Sequence, residues 1–281
     1  MIGSSWYTIA SLQAYYWAVK NKKEVILGPI EFNFDMFQHL KIIKNYFVYK
    51  ILYRKVTKLL ANSFIHYDYL TLVLKLRRVT LFMNYDNYIP YLKHPTRTKS
   101  DCVTFMYGGA IDRRMRVPEV LNVFKKIARN FSNVKFIIAG YGPEKQKCKT
   151  MTKASKVLKN IVNFHDVESW NQIPDVYKKS DVLINYASYS PGSGVILSAI
   201  ASGMGVISNI AIQSTRHFLI DNYNGFIVDD EKSLYKAMEN YILNKNLIEE
   251  HSKRSKSIGL NTLTYSQHLE DFKKITEKKT N

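Results

Sequence analysis

From residue 102 onward the chain alternates short apolar runs with amphipathic stretches. Residues 102–107 (CVTFMY), 134–139 (VKFIIA), 161–164, 181–186 (DVLINY), 206–208 and 225–228 predict strands. The first runs into Gly108-Gly109 and the second into the turn Gly140-Tyr141-Gly142-Pro143. Residues 118–130 place Val120, Leu121, Phe124, Ile127 and Ala128 on one face with Pro118 in the first turn, which predicts a helix. Further helices are predicted at 173–179, at 194–202 (closed by Gly203), at 232–243, at 247–257 and at 265–275. In the last of these Leu269, Phe272 and Ile275 share a face, which predicts packing on the first part of the chain. Strands alternating with helices predict parallel βαβ units in a doubly wound sheet. Ligands of such sheets lie at the carboxyl ends of the strands.

The first ninety residues are less regular. Residues 24–27 predict a strand leading into Gly28-Pro29, residues 40–60 a long basic helix, single or broken in two, and residues 59–63 and 80–83 two strand ends. The polar stretch 91–101, with Pro95, reads as a linker. The expected organisation is a reduced α/β domain at 1–95, a Rossmann-like domain at 96–264, and a helix at 265–281 that returns to the first domain.

Composition narrows the function. Hydrophobic residues make up 46% of the 281, enough for a buried core. Lys and Arg number 41 against 23 acids, a formal charge of +18, which favours anionic partners such as nucleotide phosphates, nucleic acid or an acidic membrane face. Cys102 and Cys148 are too few for a disulfide framework, and the seven histidines show no zinc spacing, so no metal site is expected. The start shows no secretory signal and no apolar run spans a bilayer, so a cytoplasmic, reducing setting is expected, at the membrane face if the basic helix 40–60 binds there.

The segment richest in chemistry is 181–209. A strand enters a loop containing Ser190, Pro191, Gly192, Ser193 and Gly194, and a short helix with Val195 and Ser198 follows. Small residues let a ligand approach the backbone, and a helix N-terminus offers unpaired N–H groups and a positive dipole end. Ser193 is placed to cap that helix. This arrangement suits a diphosphate.

Several blocks resemble the group 1 (family 4) glycosyltransferases of GT-B fold. They are Gly108-Gly109 with Arg113-Arg114; 138–143 (IAGYGP); 173–182 (IPDVYKKSDV); 198–207 (SAIASGMGVI); 224–228 (NGFIV); and, earlier, 27–30 (LGPI) and 61–63 (ANS). The resemblance implies a GT-B-like α/β fold. It implies transfer of a sugar, hexosyl in type, from a nucleoside diphosphate sugar to an acceptor hydroxyl, retaining and independent of metal. No cofactor is implied beyond that donor. Gly108, Gly109, Gly140, Gly142, His165, Pro191, Gly192, Ser193, Gly194, Val195 and Ser198 are then donor-binding, while Arg114, Arg113 and Ser190 are catalytic. The partners are a nucleotide sugar, an acceptor that is a glycan, a lipid-linked molecule or a protein, and a peripheral membrane contact; no nucleic acid is expected.

Three departures qualify the resemblance. The family pattern carries two glutamates, eight apart, where this chain has Ser190 and Ser198. A carboxylate accepts each ribose hydroxyl bond for about 1.5–3 kcal/mol, whereas a serine makes one neutral bond worth about 0.5–1.5 kcal/mol. The usual Arg after the first glycine is Gly109, and the usual Lys falls at Met115, leaving Arg113, Arg114 and Arg116 to supply charge. About ninety residues that open a full member have no counterpart. Two other readings follow: a catalytically silent accessory subunit and, with charge as its only support, a nucleic-acid binder. His165-Asp166 is a weak acid–base candidate, because adjacent loop residues point apart; His66 and His217 read as structural.

Overall fold

The computed structural model describes residues 9–30, 38–61, 64–82, 87–99, 101–166, 170–190, 194–212 and 214–276. The chain forms two compact units, Met1–Tyr85 with Leu269–Asn281, and Asp86–His268.

The first unit contains α1 (Ile9–Lys20), β1 (Ile26–Ile30), α2 (Gln38–Phe47), β2 (Lys58–Ala61), α3 (Phe64–Asp68) and β3 (Val79–Leu81). A π-helical turn extends α2 over Val48–Leu52, and another extends α3 over Tyr69–Val73. The three strands pair in parallel in the order β1-β2-β3, with Leu27 opposite Leu59 and Ala61 opposite Leu81. Leu27, Leu59 and Ala61 join Tyr49, Tyr53, Val56, Leu70 and Leu74 in one core. On a second cluster Leu60 and Phe82 meet Ile275 and Phe272 of the closing helix, the two phenyl rings 6.2 Å apart. The helix predicted over 40–60 therefore stops short, and its end is strand. The reason is the ladder to β1: Thr57 donates its N–H to the Val25 carbonyl and accepts the Val25 N–H on its hydroxyl.

The second unit runs α4 (Ile89–Leu92), β4 (Val103–Ala110), α5 (Val117–Asn130), β5 (Val134–Tyr141), α6 (Lys145–Ala154), β6 (Val162–His165), α7 (Ile173–Lys178), β7 (Val182–Asn185), α8 (Gly194–Ala201), β8 (Gly205–Ser208), α9 (Thr215–Phe218), β9 (Gly225–Ile227), α10 (Glu231–Leu243) and α11 (Asn246–Thr262). The closing helix α12 (Tyr265–Thr276) begins in this unit and ends in the first. All six strands are parallel, in the order β6-β5-β4-β7-β8-β9. Strand order reverses between β4 and β7, the switch point where such sheets open a crevice at their carboxyl ends. Phe124 of α5 stacks between Phe105 of β4 and Phe136 of β5, while α8 lies against α11 and β8. Cys148 is buried on α6, and burial pushes its thiol up to about 11.

Residues 91–99, read from composition as part of a linker, are built into the second unit. Arg97 is buried, and its guanidinium donates to the carbonyls of Ser180 (3.0 Å), Pro95 (3.0 Å), Ser202 (2.5 Å) and Tyr177 (2.6 Å). Lys256 Nζ donates to the carbonyls of Leu92, His94 and Ala201 at 2.6, 2.7 and 3.1 Å. Polar composition marked this stretch as a surface connection, but its Arg97, together with Lys256 of α11, satisfies carbonyls at the ends of α4, α7 and α8 instead.

Candidate functional site

The site begins where β4 ends. Gly109 has φ +110°, a backbone region that side chains disfavour. A Cβ on Gly140, its register partner on β5, would lie 2.0 Å from the Gly109 carbonyl oxygen, so the two strands close up only because that position is glycine. One turn later Ile111 donates its N–H to the Tyr141 carbonyl and accepts from Glu144 N–H, with Gly142 pressed against it at φ +148°. Bare backbone thus lines the carboxyl ends of β4 and β5.

Val195, in the first turn of α8, faces these glycines. A Cβ on Gly109 would lie 3.3 Å from Val195 Cγ2, and one on Gly108 would lie 3.2 Å from the Tyr177 hydroxyl. Tyr177 is buried, and its hydroxyl reaches the Val195 carbonyl at 3.4 Å, with Ser198 beside it. Burial holds the Tyr177 phenol well above its ordinary value, so it stays protonated. Ser198 is nearly buried, whereas its place on α8 suggested an open cleft position.

The arginines sit on a short 3₁₀ turn, Arg113–Met115, after β4. Asp112 caps it: Arg114 N–H reaches Asp112 Oδ1 at 2.9 Å, and the Arg114 guanidinium reaches Oδ2 at 2.7 Å. Partial burial would raise the Asp112 carboxyl, but these bonds to Arg114 hold it below its ordinary value. The loop after β7 ties to the same turn, Ser188 donating both N–H (2.7 Å) and hydroxyl (3.2 Å) to the Arg114 carbonyl. Arg113 and Arg114 thus share the rim with residues 186–190. Ser190 is nearly buried, and its N–H bonds the Ala211 carbonyl at 3.1 Å. Pro191, Gly192 and Ser193 lie outside the described residues, and α8 begins at the exposed Gly194.

His165 ends β6, opposite Ala139 and two strands from β4, roughly 10 Å away across the sheet. Its Nε2 is buried without a partner among the described residues. Asp166 turns to Lys145 (2.5 Å) and Lys149 (3.5 Å), which hold its carboxyl below the usual range. The two side chains do not act as a pair. Lys145 also donates to the Gly140 carbonyl at 2.7 Å, adding a cation to the site wall that sequence reasoning missed. It missed Tyr177 as well, though a tyrosine two positions before the end of a predicted helix was a readable signal. The tether from Ser188 had none. Among the described residues no group of three His, Cys, Asp or Glu could hold a metal ion, and no helix is long and apolar enough to cross a membrane.

The model for glycosyl transferases group 1 matches residues 92–258. No curated protein matches the chain. Several solved structures share the fold. HepE of Anabaena, in complex with UDP, aligns with a TM-score of 0.74 at 13% identity, over 95% of this chain and 76% of its own. Sucrose-phosphate synthase from Thermosynechococcus elongatus gives 0.72 at 15%, over 94% and 71%. TarM of S. aureus gives 0.70 at 15%, over 88% of this chain but 48% of its own, so the chain spans about half of TarM's length. These likenesses show a mixed α/β fold of the GT-B type. With the family match covering more than half of the residues, the chain belongs to the glycosyl transferases group 1 family.

Proposed function

We propose that the chain transfers a hexosyl group from a nucleoside diphosphate sugar to an acceptor hydroxyl, with retention and without a metal. One observation carries the proposal: bare backbone at Gly108 and Gly109 faces the first turn of α8, with the turn that holds Arg113 and Arg114 tethered to the same rim through the Arg114 carbonyl. Backbone N–H groups, the helix dipole and two guanidiniums together suit a diphosphate leaving group, and stabilising its charge is the main catalytic term such a site provides. HepE has been solved with UDP, with UDP-glucose and with UDP and glucose, which makes a UDP-sugar the first donor to try. Arg114 then neutralises the β-phosphate by leaving Asp112, Arg113 assists, and Ser190 offers a hydroxyl beside the sugar. His165, at the end of β6, lies on the side assigned to the base. The acceptor is a glycan, a lipid-linked molecule or a protein. The cytoplasmic setting rests on two thiols that form no disulfide.

Ser198 favours a second reading. The residue is nearly buried, so α8 contributes no carboxylate and little accessible hydroxyl to a ribose. A silent, nucleotide-binding accessory subunit is consistent with that. Calorimetric titration with UDP and GDP, followed by hydrolysis and transfer assays with their sugars, separates the outcomes. Binding with turnover, weakened about tenfold by Arg114→Ala, supports the transferase. Binding without turnover passes the lead to the accessory subunit, and no nucleotide binding ends both.

A further inference from the structure

We propose that α2 and its π-helical extension dock the first unit on an anionic lipid bilayer. The helix has two faces of opposite use. Asn45, Tyr49 and Tyr53, at i, i+4 and i+8, are buried toward the unit's core. Ile43, Phe47 and Ile51, at the same spacing on the other side, stay 56%, 55% and 57% exposed, with Tyr46 beside them. The inner face already has its partner, so the outer stripe is not a core seam.

Charge selects the occupant. Residues 36–85 carry one acid, Asp68, against Lys41, Lys44, Lys50, Arg54, Lys55, Lys58, Lys75, Arg77 and Arg78. Lys44, Lys50, Arg54 and Lys55 are exposed around the stripe, and Lys50 Nζ sits 4.8 Å from the Tyr46 ring centre, its stem lying along the apolar surface. A second copy docking through this face would set cations against cations within a Debye length. A bilayer of anionic lipid offers an apolar layer for Ile43, Phe47 and Ile51 and phosphates for the lysines, the geometry of an interfacial helix lying in the membrane plane.

The test is co-sedimentation of the full chain with vesicles of phosphatidylcholine containing one-third phosphatidylglycerol, and with phosphatidylcholine alone, at low and high salt. Partition should favour the anionic vesicles by about tenfold or more and fall with salt. Lys50→Glu with Arg54→Glu should reduce it at least about twenty-fivefold, about fivefold per cation lost. Phe47→Ser with Ile51→Ser should reduce it about tenfold. Circular dichroism and melting of these surface variants should match the parent, which separates loss of docking from loss of fold. No partition, or equal partition to neutral vesicles, overturns the proposal. So does a parent dimer that Phe47→Ser with Ile51→Ser converts to monomer, since the stripe then belongs to a second copy.

Discussion

Every residue of β7 and of β8 is buried, while none of the three residues of β3 is. The second unit covers its sheet with long helices on a hydrophobic ladder. The first holds three short strands and exposes Ile9, Tyr16, Trp17, Leu72 and Val73 besides the α2 stripe. The difference teaches where the chain places rigidity. Close backbone contacts gather where β4 and β5 end beside Val195, in the unit that carries the candidate donor site, because aiming dipoles at a developing charge requires fixed positions, while Arg97 ties the opposite ends of α7 and α8. The first unit, besides its core, keeps a set of large apolar side chains outward, as a surface that meets something else would.

The comparison can be broken first at Arg97. Arg97→Met leaves the carbonyls of Tyr177, Ser180 and Ser202, near the ends of α7 and α8, and that of Pro95 without their buried donor. It should cost about 4 kcal/mol and lower the melting temperature by about 10 °C, read by calorimetry. A loss near zero would mean that the strap is not a rigid part of the second unit. Next, Gly140→Ala puts a methyl group 2.0 Å from the Gly109 carbonyl. It should cost about 3 kcal/mol and weaken UDP binding more than tenfold; unchanged affinity would remove that junction from the site.

Two buried histidines sharpen the comparison through pH. Burial lowers His94 to about 4, helped by Arg97 and Lys256, and lowers His251 to about 4, where its Nδ1 meets the Tyr241 hydroxyl at 2.7 Å. Their folded values lie below the unfolded value of 6.5. The stability they contribute is full above pH 6.5 and is lost as pH falls toward 4. Each should give a slope of up to about 1.4 kcal/mol per pH unit in that window. Urea melts across it should show a shallower slope in His94→Asn with His251→Asn. An unchanged slope would place the acid sensitivity elsewhere. The smallest effect belongs to the rim. Asp112→Asn frees Arg114 from an exposed pair, so stability should move by less than about 1 kcal/mol, while nucleotide affinity should tighten about twofold.

The same contrast explains what could be read from residues alone. Where a strand is covered on both faces, as at 136–139 (FIIA) and 182–184 (VLI), a short apolar run marks it, and the glycines that end β4 and β5 mark the close approach that only glycine allows. In the first unit the strand end read at 59–63 overlaps β2, but the apolar positions of 40–60 also fit a helix throughout, so where helix gives way to strand depends on pairing with β1. The helices α1 and α6 escaped notice because their apolar faces are weak, α6 burying only Cys148 and Thr152. The placement of Arg113 and Arg114 just after β4, and of glycines at the ends of β4 and β5, was legible in the sequence, whatever their role. The contact of the Tyr177 hydroxyl with the Val195 carbonyl was not, since it joins two helices that only the folded sheet brings together.

Cys148 has a practical consequence. Its thiol is buried and raised to about 11, whereas Cys102, at the threshold of β4, is partly accessible. Alkylation needs the thiolate, so a maleimide dye applied to the unmodified chain at neutral pH should couple at Cys102 and spare Cys148. The native sequence then offers a single-site fluorescent handle on the donor-side unit, with no cysteine to be engineered in or out. Two dyes per chain would show that α6 opens on the labelling timescale.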